Sequence, residues 1–478
     1  MVMVDALVVG GGPVGITTSL LLARRGFSVR VLERSTEIYD LPRAIGMDDE
    51  IQRIFQGLGL IDELREITTP IGGAEFVDTD GTRLVGVDLP SDADWPLGHH
   101  PTVMYDQPQF EAFLRAHAVA GGVDLRLGVT AGPAHDHGDS VSVPADDGAV
   151  HRARWLVAAD GASSPIRKQL GIALTDQGYD QDWLVLDVEL ERPASTLTRY
   201  AQQICDPDRP TTYVPGHGNH RRWEFQLQPG EVADEMADTD RVWSLLQPWI
   251  TRDDARLIRA VVYRFHATVA GHMRSGRVFL AGDAAHQMPP FLGQGLCSGM
   301  RDAANLAWKL RLVEDGVAAD RLLDSYEAER LPHAADVVAH AVETGRLIDH
   351  LSGRAGSEAP LEAGYGGGRP FPRLTAGILV GDHPLVGRQL LQPVVDGRPL
   401  DDLLGDGFSI IVDDPPTAST IPDEWSTIGS VVTLPPGTLR VLPLGGAIVV
   451  RPDRYVAAVA EGADELAASS AALVDMLH

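Results

Sequence analysis

Hydrophobic positions change period several times along this chain, and each change predicts an element. Ala6–Val9 is an unbroken apolar run ending in glycines, which predicts a buried strand. Helical spacing through Ile16–Arg25, closed by Gly26, predicts a helix, and Ser28–Leu32 the next strand. Tyr105–Glu111 starts another helix, with Pro108 suited to the first position and Gln107 left at the cap. Glutamine is disfavoured there, so its side chain is expected to be free for other work. Short strands broken by turns follow: VDLRLG (123–128), SVSVP (140–144) and ARWLVAAD (153–160). From Trp183 to Val269 the period becomes two, predicting an antiparallel sheet interrupted by a helix near Arg241–Ile250. Val278–Ala281 reads as a buried strand, after which Pro289-Pro290 argues against regular structure. Leu296, Met300, Ala303, Leu306, Ala307 and Leu310 then recur at helical spacing. Leu322–Arg330 opens a long helix, and 352–372 is rich in Gly and Pro, as a linker would be. Beyond it stand apolar segments at Gly407–Asp413, Val431–Leu434 and Ala447–Arg451, then an Ala-rich helix.

A length of 478 residues predicts two or three domains. The net charge of −27 excludes a nucleic-acid binder, which needs a basic face. Only Cys205 and Cys297 occur, so a disulfide framework, a zinc ribbon and a dithiol centre are all excluded, and no metal site is expected. Cys297 is expected to be a small packed residue. The amino terminus lacks a basic segment and carries Asp5 inside its apolar run, so it reads as a strand, not a signal peptide. No run of 18 uncharged apolar residues appears, and a cytoplasmic enzyme without membrane contact is the expectation.

Three glycine-rich junctions carry candidate chemistry. Gly10-Gly11-Gly12-Pro13-Val14-Gly15 is a G-x-G-x-x-G between strand and helix, with Glu33 ending the next strand 18 residues beyond Gly15. Gly10 makes the tight turn, Gly12 admits a pyrophosphate and Gly15 packs helix on strand. Glu33 can accept from ribose hydroxyls, and Arg34 adjoins it. The motif alone is weak, but strand, helix and acid in register predict a dinucleotide site. Asp160-Gly161-Ala162-Ser163-Ser164-Pro165-Ile166-Arg167 fits D-G-x-x-S-x-x-R, with a plain strand-to-helix turn as the alternative. Gly282-Asp283, Gly293 and Gly295-Leu296 would deliver backbone N–H groups at a helix start, where the dipole favours negative charge; a plain loop feeding a core helix is the alternative.

Together GDAAH, PP, GQG and RDAANLAWKL resemble the second flavin motif of the single-component FAD-dependent aromatic hydroxylases, the para-hydroxybenzoate hydroxylase superfamily. The nearest branch is that of the 3-(3-hydroxyphenyl)propionate hydroxylases and their polyketide-tailoring relatives. The resemblance implies an α/β fold: a Rossmann-like FAD-binding domain in two parts (1–176, and 273–375 with long helices), an inserted antiparallel β-sheet substrate domain (177–272), and a thioredoxin-like C-terminal domain without CxxC (376–478). It implies tightly but non-covalently bound FAD, NAD(P)H as a transient co-substrate, O₂, a small aromatic substrate, and a monomer or homodimer. The three junctions become FAD contacts through Gly10, Gly12, Pro13, Val14, Gly15, Glu33 and Arg34, then Asp160, Gly161 and Arg167, then Gly282, Asp283, Pro290, Gly293, Gly295 and Leu296. Arg43, a surface arginine on the residues alone, and Gln107 are carried toward the cofactor by the same likeness. Pro290, through its carbonyl, and Gly295, at the helix start, are the expected catalytic positions.

The implied reaction is ring hydroxylation through a flavin C4a-hydroperoxide, with Baeyer–Villiger insertion or epoxidation open on the same fold. Trp183, Tyr213, Trp223, Phe225, Tyr263 and Phe265 are candidates to line the pocket, and alternation turns about half of them away. A dehydrogenase with two dinucleotide sites would need a second G-x-G-x-x-G, and none occurs. A non-catalytic relative would be expected to lose Gly10, Asp160 or Asp283. His286 reads as packed or capping, and the C-terminal segment as dispensable for electron transfer.

Overall fold

A computed structural model describes residues 2–41, 43–194, 196–353, 372–412, 421, 423–435, 438 and 446–478. Nearly all of the expected linker at 352–372, and Pro42, lie outside them. The chain begins with β1 (Val4–Val9), α1 (Pro13–Arg24) and β2 (Val29–Glu33). Gly10 sits at φ +107°, and a Cβ on it would lie 2.2 Å from the carbonyl oxygen of Ala159; only glycine makes this turn. A Cβ on Gly15 would lie 1.9 Å from the carbonyl oxygen of Gly10, so α1 rests directly on the turn. Pro13 opens α1, where its missing N–H costs nothing.

Helix α2 (Gln107–Ala120) differs from expectation at its start: Asp106 is the cap, its carboxylate accepting from Gln109 N at 2.9 Å. Aspartate is the stronger cap, and Pro108 is equally tolerated one position further in. After β3 (Val150–Ala158) come the long strands β4 (Leu174–Leu190), β5 (His220–Gln226) and β6 (Ala255–Ala270), paired antiparallel with β4 central. Their eight-stranded sheet also recruits Gly73–Val77 and Arg83–Asp88, which lie outside 177–272. The helix within this region is Thr239–Leu246, not Arg241–Ile250; Asp238 caps it, and Pro248, which cannot donate, follows its end.

The chain then returns to the first sheet as β7 (Val278–Leu280), giving the parallel order β7-β3-β1-β2 with Asp124–Leu127 beside β2. A 3₁₀ turn at Pro290–Leu292, which begins on the second proline because proline is tolerated there, leads into α3 (Gly295–Glu314). Helix α4 (Asp324–Leu351) packs against α3 and β6. The C-terminal part pairs β8 (Phe408–Val412), β9 (Gly429–Thr433), β10 (Ala447–Val450) and β11 (Val456–Ala460) in the order β9-β8-β10-β11; β8 and β9 are parallel and the other pairs antiparallel. The terminal helix α5 (Ala463–Leu477) covers it. The whole is a mixed α/β fold with several sheets. Among the described residues no helix is long and apolar enough to cross a membrane.

Candidate active site

Three loops leave the carboxyl ends of the parallel strands β1, β3 and β7 and meet over one crevice, where open α/β sheets bind ligands. At its first edge, Glu33 accepts from Gly11 N (2.6 Å) and Ser35 N (2.8 Å), which fixes its carboxylate at the tip of β2. Arg34 beside it is exposed. Val14 does not face the crevice freely: it is wedged against Gly282 and Gly299, where a Cβ on Gly299 would come within 2.5 Å of Val14 Cγ2.

In the second loop, Asp160 Oδ2 accepts from Ile166 N (3.2 Å), while Oδ1 is buried without a partner. Burial pushes this carboxyl up from its usual pKa. Arg167, expected at the cofactor, donates through Nη1 to the carbonyls of Ala162 (3.1 Å) and Ala284 (3.0 Å) and so ties the second loop to the third. In the third loop Asp283 is exposed within the 3₁₀ turn that follows β7. Asp302, on α3, is one of the residues that sequence reasoning missed. Buried, it accepts from Gly282 N (3.0 Å), Arg330 Nε (2.8 Å) and the ring of His286 (2.7 Å). Burial alone would raise its pKa, but His286 and Arg330 outweigh that and hold it below the usual value. His286 is thus packed, as expected.

Helix α3 starts open. Gly293 takes the left-handed conformation at φ +63°, and no side chain caps the helix. The amide of Gln294 turns away, accepting from Arg301 Nη1 at 3.0 Å. A Cβ on Gly295 would meet nothing closer than Met288 Cγ at 3.8 Å, and Leu296 beside it is half-buried. The carbonyl of Pro290, the expected catalytic group, closes the 3₁₀ turn by accepting from Gly293 N at 2.8 Å, which commits one of its two lone pairs.

Gln107 also departs from expectation. Its carboxamide is buried and engaged, accepting from Arg43 N (2.6 Å) and Ala44 N (2.8 Å) and donating to Glu111 (2.7 Å). It holds the backbone of the loop whose exposed Arg43 side chain lies over the Tyr39 ring.

The large sheet presents one face to these loops. Register puts Trp183 beside Tyr263 and Gln226, with Phe265 two residues on, whereas Trp223 and Phe225 alternate to the other face with Tyr213 and join the apolar core there. The six aromatic candidates therefore divide three and three. On the loop-facing side Trp183 and Phe265 meet Phe291 (ring centroids 5.4 and 6.1 Å), and Tyr179 joins them at 5.7 Å. The same face carries a buried ionic cluster: Asp187 receives Arg222, Arg259 and His220, and Arg222 also donates to the carbonyl of Arg43 at 2.7 Å.

A family model described as an FAD binding domain matches residues 3–341. The chain belongs to this family of FAD-dependent monooxygenases. A probable NADH-specific resorcinol 4-hydroxylase from Rhodococcus jostii is 33% identical, covering 98% of this chain and 94% of its own. A 3-(3-hydroxy-phenyl)propionate/3-hydroxycinnamic acid hydroxylase from Burkholderia cenocepacia is 34% identical over 95% and 94%. Among solved structures, aklavinone-11 hydroxylase with FAD and aklavinone superposes with a TM-score of 0.81 at 26% identity, covering 99% of each chain.

The crevice fits FAD. A Cβ on Gly12, Gly161 or Gly293 would meet no protein atom within 4 Å, so the cradle has room where a flat, elongated ligand needs it. Asp160 Oδ1 lacks a donor, as an acceptor for a ligand hydroxyl would. The starts of α1 and α3 supply two sites for negative charge. Among the described residues no group of three or more His, Cys, Asp or Glu could hold a metal ion.

Proposed function

We propose that the chain hydroxylates a phenolic or polycyclic aromatic ring, using O₂ and a transiently bound NAD(P)H. The observation that carries this reading is the position of Phe291. It follows Pro290 directly and stands four residues before Gly295, so the aromatic wall of Trp183, Phe265 and Tyr179 abuts the loop that leads into α3. FAD, once bound, supplies the two-electron chemistry that activates O₂.

The chain's own residues contribute position, charge and exclusion of water. The open start of α3 favours negative charge facing it by about 0.3–2 kcal/mol. The aromatic wall holds a planar ring and keeps water from it. The remaining lone pair of the Pro290 carbonyl can accept from a substrate hydroxyl. Arg222 and Gln107 hold the Arg43 loop from opposite sides, so that loop is fixed relative to the sheet.

In this reading 1–176 and 273–375 serve FAD, and the sheet centred on 177–272 roofs the substrate. The strand order β9-β8-β10-β11, with a parallel first pair and a closing helix, supports a thioredoxin-like C-terminal domain. No cysteine follows Cys297, so that domain is structural. With one dinucleotide motif, already assigned to FAD, the nicotinamide must visit and leave; the relative named NADH-specific makes NADH the donor to test first. Anaerobic mixing of FAD-loaded protein with NADH should bleach the flavin slowly alone and much faster with resorcinol or another accepted phenol. Reduction at one rate regardless of every phenol tried would contradict the reading.

A further inference from the structure

The loop-facing side of the sheet holds a buried carboxyl whose ion-pair contact is long. Glu224 lies on β5 between Arg222 and Gln226, opposite Val185 of β4 and Thr212 of the next strand. It is 6% exposed, and no described residue donates a hydrogen bond to it; the nearest cation, Arg222, stands 3.9 Å away. Each polar neighbour is committed elsewhere. Arg222 serves Asp187 and the Arg43 carbonyl, Gln226 donates to Gln181, and Thr212 donates to Gln203. Burial raises the pKa of Glu224 against the pull of Arg222. A buried carboxyl without a donor is costly, and a fold that keeps one needs a reason.

Its place suggests the reason. On the same face, Arg222 joins the Arg43 loop on one side and Trp183 meets Phe291 on the other, so a ring held between those two loops lies over Glu224. Val185 and Val261, in register beside it, offer an apolar floor without competing polar groups. We propose that Glu224 is a substrate-binding residue of this pocket and accepts a hydrogen bond from a ring hydroxyl of the phenolic substrate. This rests on the hydroxylase reading and deepens it: the pocket selects hydroxyarenes over their ethers.

The test is a cycle between ligand and protein, read from ligand-induced changes in the flavin spectrum of the full-length, FAD-loaded enzyme. The probes are resorcinol against 1,3-dimethoxybenzene, and 3-(3-hydroxyphenyl)propionate against its methyl ether. The wild type should prefer the hydroxyl form of at least one pair by about tenfold or more. In Glu224→Leu that preference should fall to roughly twofold or less while the ether binds as before. Should the leucine variant lose FAD, Glu224→Gln keeps the shape and should still lose at least about threefold of the preference. Full preference in the variant that retains FAD, or no preference in the wild type, overturns the proposal. Failure of the hydroxylase reading looks different: hydroxyarenes would bind with the predicted preference yet never stimulate NADH consumption.

Discussion

Glu33 shows how backbone order fixes a single side chain at a site proposed to hold a dinucleotide. Its carboxylate already holds Gly11 N and Ser35 N, so its orientation is set before any ligand arrives. Glu33→Ala should weaken FAD binding by about 1.5–3 kcal/mol, the range for hydrogen bonds to a charged group, while the protein stays soluble. The ratio of flavin to protein absorbance after gel filtration checks this, and an unchanged ratio counts against the assignment. The places of Gly10, Gly12, Gly15, Glu33, Asp160 and Asp283 at turns and strand ends were legible in the sequence, because a turn and a strand end fix their spacing. Asp302, Phe291, Arg222 and the loop-holding role of Gln107 were not, since these depend on partners far along the chain. Arg222 reaches the carbonyl of a residue 179 positions away, and no local pattern encodes that.

At the scale of elements, two glycines separate packing from binding. A Cβ at Gly299 would press to 2.5 Å on Val14 and 2.9 Å on the Gly282 backbone, forcing α3 away from the first loop. A Cβ at Gly12 would meet nothing of the protein. Gly299→Ala should therefore destabilise the fold by about 1–3 kcal/mol. Gly12→Ala should leave the apoprotein's thermal midpoint within error of the wild type yet abolish FAD retention. Thermal melts of both variants with and without added FAD distinguish the two, and FAD-loaded Gly12→Ala would mean that the cradle lies elsewhere. Strands and long helices were readable from periodicity. Boundaries failed where short-range chemistry competes: Asp106 displaced Gln107 as the cap, and the helix at 239 stopped short of Pro248. Gly73–Val77 and Arg83–Asp88 gave no clean alternation to announce them; their burial is mixed on both faces.

Across the whole molecule, the C-terminal part is bound by buried charge. Arg451 forks onto Glu329 of α4 (2.8 and 2.7 Å), Lys309 joins the same carboxylate at 2.7 Å, and Arg53 forks onto Asp401 (2.6 Å for both bonds). Trp308 of α3 stacks edge-on against Phe408 of β8 within one shared apolar cluster. A chain cut near Gly381 would take Arg451 from Glu329, leaving it Lys309 alone among its cations, and would strand Arg53 without Asp401, at about 3–5 kcal/mol for each broken buried pair. It should aggregate, so dispensability for electron transfer would be visible only in full-length variants. Burial pushes Glu329 up, but Arg451 and Lys309 bring it down to about 2 from the usual 4.5. A folded-state pKa below the unfolded one means stability that is complete above pH 4.5 and lost as pH falls toward 2. The difference in denaturant midpoint between wild type and Glu329→Gln should be large at pH 7 and shrink steadily below pH 4.5; a constant difference would remove the ion pair as its cause.

The central claim is oxygen insertion into an aromatic ring within the pocket bounded by Phe291, the sheet and the start of α3. Its most direct test is turnover of FAD-loaded protein with NADH, ¹⁸O₂ and a phenol that accelerates flavin reduction, with mass spectrometry of the aromatic product. The account predicts one ¹⁸O atom per product molecule, carried on the ring as a new hydroxyl. Unaltered phenol accompanied by hydrogen peroxide in proportion to the NADH consumed would contradict it.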